Sequence, residues 1–229
     1  MSFDHLAPIY HVLEALAFGR TLDVVREQFA GDLENRDRIL LAGEGTGRFL
    51  RALTKINPES RIDCLDSSAA MLRHASDGFN SKLLTRIAFI DADLLQWKPE
   101  GSYDAIVTNF FLDCFAESDQ QQVVEKLAQC ASPDAMWLIA EFAIPSNRFA
   151  ALLAQAAIGL MYLFFRLTTN ISASRLVNYQ PALEAGGFTL TKRATRLGGF
   201  VISEVWKRGK DLTLIGVGFG SAGAANAAK

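Results

Sequence analysis

The stretch LLAGEGTGRFL, residues 40–50, decides how the chain folds. Its first residues end an apolar run of strand length, and its last residues begin a segment with helical spacing. Between them, glycines at 43, 45 and 47 permit a tight turn and a close backbone approach to a ligand. Glycine turns after strands are common, so the loop alone is weak evidence for a binding site. It does predict a strand that turns directly into a helix.

Similar units recur along the chain. Apolar runs of strand length lie at 38–42, 61–65, 86–90, 104–108 and 135–141, and helix-like segments lie at 46–55, 68–76 and 118–131, the last with Ser118 as its N-cap. Two further strands, 188–195 and 199–206, are joined by a turn as a hairpin. Strands that alternate with helices predict an α/β fold with a doubly wound, mostly parallel sheet and helices on both faces. Ligands of such sheets bind at the carboxyl ends of the strands.

Aspartates follow two of these strands. Asp66 ends the second strand, 19 residues after Gly47, where a carboxylate can accept the hydroxyls of a ribose. Asp93, just after the third strand, can accept from the amino group of an adenine. Either residue alone is more often a surface residue or a helix cap. With the glycine loop they predict an adenosine pocket.

Two classes of adenosine ligand compete for this pocket. Dinucleotide loops usually read G-x-G-x-x-G and hold a pyrophosphate on the helix N-terminus, whereas this loop reads G-x-G-x-G and continues with Arg48. Glu44 adds a carboxylate that repels a pyrophosphate and attracts a sulfonium or an amino group. The loop therefore favours S-adenosylmethionine over NAD. An NAD-linked oxidoreductase and a catalytically silent binding module stay as alternatives.

The chain resembles the class I S-adenosylmethionine-dependent methyltransferases over roughly residues 3–207, and within them the small-molecule branch of ubiquinone/menaquinone C-methyltransferases. The matching stretches are 3–10, the glycine loop, 65–72, 92–93, 103–107 and 183–188. The resemblance implies a seven-stranded sheet whose last strand is antiparallel. One departure is Leu41, where the family often has an acidic residue.

The resemblance also implies roles for individual residues. Gly43, Glu44, Gly45 and Gly47 border the methionine part of the cofactor, Asp66 and Ser67 lie at the ribose, and Met71, Asp93 and Leu94 surround the adenine. Asn109 offers its backbone carbonyl to the cofactor's amino group, and Tyr10 closes the site from the N-terminal segment.

Methyl transfer needs alignment of the reactants and exclusion of water, and a base only where the acceptor must lose a proton. Asp113, after the fourth strand, and Glu141, at the end of the fifth, are the candidate bases. A helix cap for Asp113 and a structural hydrogen bond for Glu141 are the simpler interpretations. A set of aromatic residues predicts an apolar pocket for a small-molecule acceptor, with ordinary core packing as the simpler interpretation of any single one: Phe110, Phe111, Phe115, Tyr162, Phe164 and Phe165.

The final third changes character. Residues 149–165 are apolar on nearly every face but too short for a membrane span, so 148–176 is predicted to cover the substrate side. An interfacial helix is the other interpretation, with peripheral membrane contact through 148–196. The basic residues around it are Arg148, Arg166, Arg175, Lys192, Arg193 and Arg196. Residues 1–208 are expected to form one domain, and the Gly/Ala-rich tail 209–229 to be poorly packed.

Composition excludes several classes of protein. A net charge of −2 argues against a nucleic-acid-binding protein, and half of the residues are apolar, as in a globular domain. Three scattered cysteines predict a cytoplasmic protein without a disulfide framework. The three histidines, His5, His11 and His74, lack the spacing of metal ligands, so no metal is expected.

Overall fold

A computed structural model of the chain describes residues 19–168, 173 and 175–209, without the side chains of 163–168. Seven strands form one sheet in the order β3-β2-β1-β4-β5-β7-β6. The first five strands run parallel, and β7 lies antiparallel between β5 and β6. The predicted doubly wound, Rossmann-like sheet with an antiparallel last strand is confirmed. The strands are β1 Arg38–Ala42, β2 Arg61–Asp66, β3 Ile87–Asp91, β4 Tyr103–Asn109, β5 Ala131–Phe142, β6 Phe188–Arg196 and β7 Val201–Arg208.

The predicted helices are present with ends shifted by up to three residues, and the longest extends from the predicted 149–165 to 148–168. Short 3₁₀ turns at Ala30–Leu33, Leu112–Cys114 and Leu197–Gly199 connect some of the elements. The helices are α1 Thr21–Glu27, α2 Arg48–Ile56, α3 Ala69–Ser76, α4 Ser81–Leu84, α5 Glu117–Gln129, α6 Arg148–Thr168 and α7 Gln180–Ala185. Within the described part of the chain, no helix has both the length and the hydropathy that a membrane crossing needs.

Alternate residues of the central strands belong to two separate hydrophobic layers. Leu40 of β1 packs in the layer that includes Leu127 of α5, whereas its neighbour Leu41 packs in the layer that includes Leu53 of α2. Both faces of the sheet are therefore buried, which is why the strands read as continuous apolar runs. The carboxyl edge of the sheet is left as the place for polar side chains.

The helix after β4 begins differently from the prediction. The sequence pattern predicted Ser118 as its N-cap, but α5 starts one residue earlier and Ala116 occupies the cap position. The Gln120 backbone N–H donates to the Ala116 carbonyl at 2.8 Å, and the Ser118 hydroxyl donates to Asp119 instead. The Ser118 prediction was therefore wrong, because backbone hydrogen bonding begins the helix without a side-chain cap.

The inserted strand β7 carries a buried carboxylate. Glu204 is fully buried and accepts hydrogen bonds from the Tyr179 hydroxyl at 3.0 Å, the Trp206 indole at 2.7 Å and the Arg193 guanidinium at 2.6 Å. A buried charge is tolerated when it is paired and hydrogen-bonded, as here. Arg193 thus balances an internal charge of the sheet rather than adding to a free basic surface.

Replacement of Leu127 by alanine should test the packing of α5 on the sheet. Leu127 is completely buried, so Leu127→Ala should lower the free energy of unfolding by about 2–5 kcal/mol through lost contacts and a residual cavity. Leu84→Ala, at a leucine that is 39% exposed, should cost under about 1 kcal/mol. Urea unfolding of both variants measures the difference. Equal losses would contradict the packing described above.

Candidate functional site

The glycine loop sits at the carboxyl edge of the sheet, between β1 and α2. Gly43, Gly45 and Gly47 all have positive φ, at 71°, 63° and 77°, a region that residues with a Cβ rarely adopt. The Gly43 N–H donates to the Leu65 carbonyl at 2.8 Å, which continues the pairing of β1 with β2 into the turn. The glycines are therefore required by the backbone of the turn itself.

The three glycines differ in what surrounds them. A Cβ on Gly43 would lie 2.0 Å from the Phe111 ring, and one on Gly47 would lie 2.7 Å from the Cα of Ala75. A Cβ on Gly45 would meet no atom of the described residues within 4 Å. Gly43 and Gly47 thus allow the protein to pack, whereas Gly45 borders open space in which a ligand can approach the backbone.

Asp66 ties this loop to the end of β2. One carboxylate oxygen accepts from the Gly45 N–H at 3.0 Å, and the other accepts from the Ser68 N–H at 2.9 Å. Burial raises the pKa of Asp66, and these backbone hydrogen bonds oppose the rise. Each oxygen keeps a further lone pair, so the carboxylate can still accept ribose hydroxyls.

The predicted adenine residues lie at the same edge. Asp66 pairs in register with Asp91, and the Ala92 N–H donates to the Asp66 carbonyl, so Asp93 follows directly beside the end of β2. The Asp93 side chain is exposed, whereas Leu94 is buried.

The first turn of α3 completes this side of the site. Met71 in this turn is buried, and Ser67 lies in the short link between the end of β2 and the start of the helix. The Ser68 hydroxyl caps the helix by accepting from the Met71 N–H at 3.2 Å. A polar edge and apolar walls therefore meet at the end of β2 and β3.

Glu44 occupies the start of the helix α2. One of its carboxylate oxygens accepts from the Leu50 N–H in the first turn of α2 at 2.9 Å. Burial raises the pKa of Glu44 to about 7, against the helix N–H groups and Arg26, which lower it. The carboxylate of the protein thus lies where a dinucleotide fold would hold a pyrophosphate.

The first described helix adds a group that the sequence pattern did not reveal. Asp23 of α1 accepts from Arg26 at 3.1 Å and from Arg48 of α2 at 2.9 Å, which joins the two helices beside the loop. The Arg26 guanidinium lies 5.0 Å from the centre of the Phe110 ring. The only signal in the sequence was the apolar spacing of α1, because ion pairs between distant segments leave no local pattern.

β4 ends in a polar residue and a strained one. Asn109 pairs with Ala140 of β5, and its buried side-chain nitrogen has no hydrogen-bond partner among the described residues. Phe110, which follows, has a φ of +53°. Buried donors without partners and strained backbone both concentrate at functional sites, so the end of β4 fits a place where a ligand supplies the missing contact.

Two carboxyl groups lie on the other face of this edge. One oxygen of Glu141 accepts from the N–H groups of Phe111 and Leu112, at 3.0 and 2.8 Å, and its other oxygen is buried without a described partner. Burial and the nearby charge of Asp113 raise the pKa of Glu141 well above its usual range. Burial raises the pKa of Asp113 to about 6. Each of the two groups is therefore harder to ionise than a carboxyl group in water.

The environment of Asp113 also excludes one of its expected roles. Asp113 lies inside the 3₁₀ turn Leu112–Cys114, where Phe111 is the N-cap, and Ala116 is the N-cap of the following helix α5. The Cys114 thiol donates to its carboxylate at 3.6 Å, and the Tyr162 hydroxyl of α6 donates to its backbone carbonyl at 3.0 Å. Burial raises the pKa of Cys114 well above its usual range, so this thiol is a donor and not a nucleophile at neutral pH.

The predicted aromatic residues divide between two places. Phe111 packs edge-on against Phe115 at 5.0 Å, near Glu141, whereas Phe110 packs with Phe142 near α1. The side chains of Phe164 and Phe165, and the whole of Tyr10, His5 and His11, lie outside the described residues. Among the described residues no group of three or more potential ligands could hold a metal ion.

Comparison with known proteins finds a family match for part of the chain. Residues 39–134 match the family model described as a methyltransferase domain. The carboxy-S-adenosyl-L-methionine synthase of Nautilia profundicola is 27% identical over 51% of this chain and 49% of its own length. The trans-aconitate 2-methyltransferase of Escherichia coli O1:K1 is 33% identical over 44% of this chain and 37% of its own. The match to this chain spans about half or less of the length of these relatives.

A solved structure resembles most of the chain. An O-methyltransferase family protein from Burkholderia thailandensis superposes with a TM-score of 0.69 at 16% identity, over 89% of this chain and 59% of that one. At this identity the likeness shows a common fold. The fold therefore extends beyond the residues that the family model matches.

Glu44→Gln tests whether the helix start holds a buried acid. The pKa of Glu44 is higher in the folded chain than in the unfolded chain, so the folded chain binds this proton more tightly. The free energy of unfolding should therefore fall as the pH rises from 4.5 to about 7 and the proton is lost. The glutamine keeps an acceptor for the Leu50 N–H without the charge. The variant should match the wild type near pH 4.5 and exceed it by about 1–3 kcal/mol above pH 7.

Denaturant unfolding across this pH range measures the difference between the two proteins. Other titrating groups are common to both and cancel. Glu125→Gln, at an exposed glutamate of α5, is the control and should give a difference that does not change with pH. If the difference between Glu44→Gln and the wild type also did not change with pH, the Glu44 carboxyl group of the wild type would be solvated.

Proposed function

We propose that the protein, whose residues 39–134 match a methyltransferase domain and which shares the fold of an O-methyltransferase family protein, transfers a methyl group from S-adenosylmethionine to a small, apolar acceptor. The observation that carries the proposal is the meeting of Gly45, Asp66 and Asn109 at one edge of the sheet. There a glycine with space beside it, a carboxylate and a side-chain amide nitrogen without a hydrogen-bond partner among the described residues lie at the ends of adjoining strands.

The cofactor is bound along this edge. Gly43, Gly45 and Gly47 border its methionine part, and Asp66 accepts the ribose hydroxyls beside Ser67. Asp93 accepts from the adenine amino group between Met71 and Leu94, the carbonyl of Asn109 accepts from the cofactor's amino group, and Tyr10 closes the site.

The charges of the site favour this cofactor over NAD. Glu44 and Asp66 are buried carboxyl groups whose pKa values are raised by loss of solvent. A ligand with a sulfonium and an amino group replaces part of that lost solvation, whereas a pyrophosphate adds repulsion. The Glu44 carboxylate also occupies the first turn of α2, which a pyrophosphate would need.

The acceptor is neutral and apolar at its reacting end. Asp113 brings negative charge to this part of the edge when it is ionised, above about pH 6, and Phe111 and Phe115 supply apolar surface beside it. An anionic acceptor such as the one named for the trans-aconitate enzyme would be repelled here. The protein is therefore proposed to differ from that relative in its acceptor.

The chain's own groups align the reaction and move one proton. The bound cofactor supplies a methyl group that its sulfonium activates for in-line displacement. Asp113, ionised above pH 6, takes the proton of the acceptor as the new bond to the methyl carbon forms and the bond from that carbon to sulfur breaks, which leaves a neutral thioether. Glu141 holds the Phe111–Leu112 backbone and keeps Asp113 in place.

The expected setting is the cytoplasm, and contact at a membrane surface is a separate proposal that does not depend on methyl transfer. Cys64, Cys114 and Cys130 are free thiols, and a reducing compartment suits them.

Gly45→Ala should test the cofactor site against a matched control. Gly45 and Gly78 both have positive φ, and a Cβ on either would meet nothing within 4 Å in the part of the chain that the structure describes. Both alanine variants should therefore lose about 1 kcal/mol of stability from the backbone. Only Gly45→Ala places a methyl group where the cofactor passes, and its affinity for S-adenosylmethionine should fall at least about tenfold.

Titration calorimetry with S-adenosylmethionine, S-adenosylhomocysteine and NAD measures the affinities. The wild type should bind the first two and not NAD. Equal affinities in the two glycine variants, or binding of NAD alone, would contradict the proposed site. Binding without methyl transfer to any phenol, quinone, fatty acid or amine would indicate a silent binding module instead.

Asp113→Asn should separate proton removal from cofactor binding. The rate of methyl transfer by the wild type should rise to a plateau above about pH 6, because Asp113 must be ionised to accept the proton. The variant should be about 100-fold slower or more and keep its affinity for the cofactor. Asp119→Asn, at an exposed residue of α5, should behave as the wild type. A variant with the unchanged rate and pH profile would show that Asp113 is not the base.

A further inference from the structure

The helix α6 has one buried side and one exposed apolar side. Ala154, Ile158 and Tyr162 recur every four residues and are at most 5% exposed. The opposite side carries Phe149, Leu152, Leu153 and Leu160, which are 57–72% exposed and are called the α6 apolar face below. A helix that only roofed a site would place its large apolar residues inward, so this face needs another partner.

Exposed apolar residues concentrate at this one place. Of the eight large hydrophobic residues that are exposed in the described part of the chain, five lie between Ile144 and Leu160. Leu197 adds to them, because the β6–β7 hairpin tip meets the same segment through the hydrogen bond from the Ala143 N–H to the Phe200 carbonyl. Such clustering distinguishes an interaction surface from single apolar residues, which are normal on any protein.

Charge selects what this surface meets. From 142 to 183 the sequence contains no Asp or Glu, and Arg148 is exposed at the first residue of α6. The basic region is narrower than the sequence predicted, because Lys192 is paired with Asp32 and Arg175 with Glu117. The α6 apolar face thus has the exposed Arg148 at the beginning of its helix. An apolar face with basic residues beside it is typical of helices that lie in the interface of an anionic membrane.

Size argues against a second copy as the partner. The rise from Phe149 to Leu160 is about 17 Å at about 1.5 Å per residue, and a helix is about 10 Å wide. Four side chains in one stripe are far fewer than the roughly 20–30 residues that each partner contributes to a stable interface. A lipid surface needs only shallow insertion of such a stripe.

The same helix reaches the candidate acceptor site. The Tyr162 hydroxyl on the buried side of α6 donates to the Asp113 carbonyl. The helix therefore has the α6 apolar face on its outer side and the carboxyl pair, Asp113 and Glu141, on its inner side. We propose that the α6 apolar face inserts into the surface of an anionic membrane, from which an apolar acceptor enters the site beneath the helix. The delivery of an acceptor rests on the proposed function, but the membrane contact does not.

Vesicle flotation tests the contact without cofactor or acceptor. The full chain should float with vesicles of phosphatidylcholine and phosphatidylglycerol, and at least about tenfold less with phosphatidylcholine alone. Leu153→Asp/Leu160→Asp should lower the floated fraction at least about tenfold, because two apolar anchors are lost. Val24→Asp/Leu84→Asp, at exposed apolar residues elsewhere, is the matched control and should float as the wild type does.

Light scattering of the same proteins in solution gives the other outcome. If the wild type does not float, or if both double variants float equally, the proposal is wrong. It is also wrong if the wild type is a dimer that Leu153→Asp/Leu160→Asp converts to a monomer, because the face is then covered by a second copy. Methyl transfer to a detergent-dispersed acceptor, measured separately, shows whether the proposed activity stands when membrane binding fails.

Discussion

The structure depends on how a buried carboxylate is satisfied at the carboxyl edge of the sheet. Asp66 ends β2 where solvent is scarce, and the N–H groups of Gly45 and Ser68 are what keep it hydrogen-bonded. That pair of contacts fixes the glycine loop to β2 and places the start of α2. A buried polar group that lost these partners would cost about 1–3 kcal/mol or more. The position of the loop and the binding chemistry of the site are therefore one constraint.

The part of the fold with local causes could be predicted from the sequence. β1, β2 and β3 are apolar runs that end in glycine or aspartate, and parallel strands bring such ends to one edge. Gly45, Asp66 and Asp93 could therefore be placed together before any contact was known. The start of α5 could not, because a local capping pattern at Ser118 competed with a backbone hydrogen bond to Ala116 and lost.

Contacts between distant segments explain what the sequence did not reveal. The Asp23 bridge to Arg48 joins residues 25 apart, and the contact of Glu141 with Phe111 joins residues 30 apart. Neither has periodicity or a motif, since each depends on how two elements pack after the sheet has formed. Glu44 is an intermediate case: its charge was visible in the loop, but its bond to the Leu50 N–H required the geometry of α2.

The carboxyl groups of the edge also explain why a protein would keep them buried. The pKa values of Glu44, Asp66, Asp113 and Glu141 are all raised by burial, so each ionised form is destabilised in the folded chain. Replacement by apolar residues would relieve that cost, as buried charges generally allow. A cationic ligand would lower the same cost in another way, because its positive charge stabilises the ionised carboxylates in place of the lost water. A ligand that carries positive charge is therefore expected to bind at this edge in preference to a neutral or anionic one.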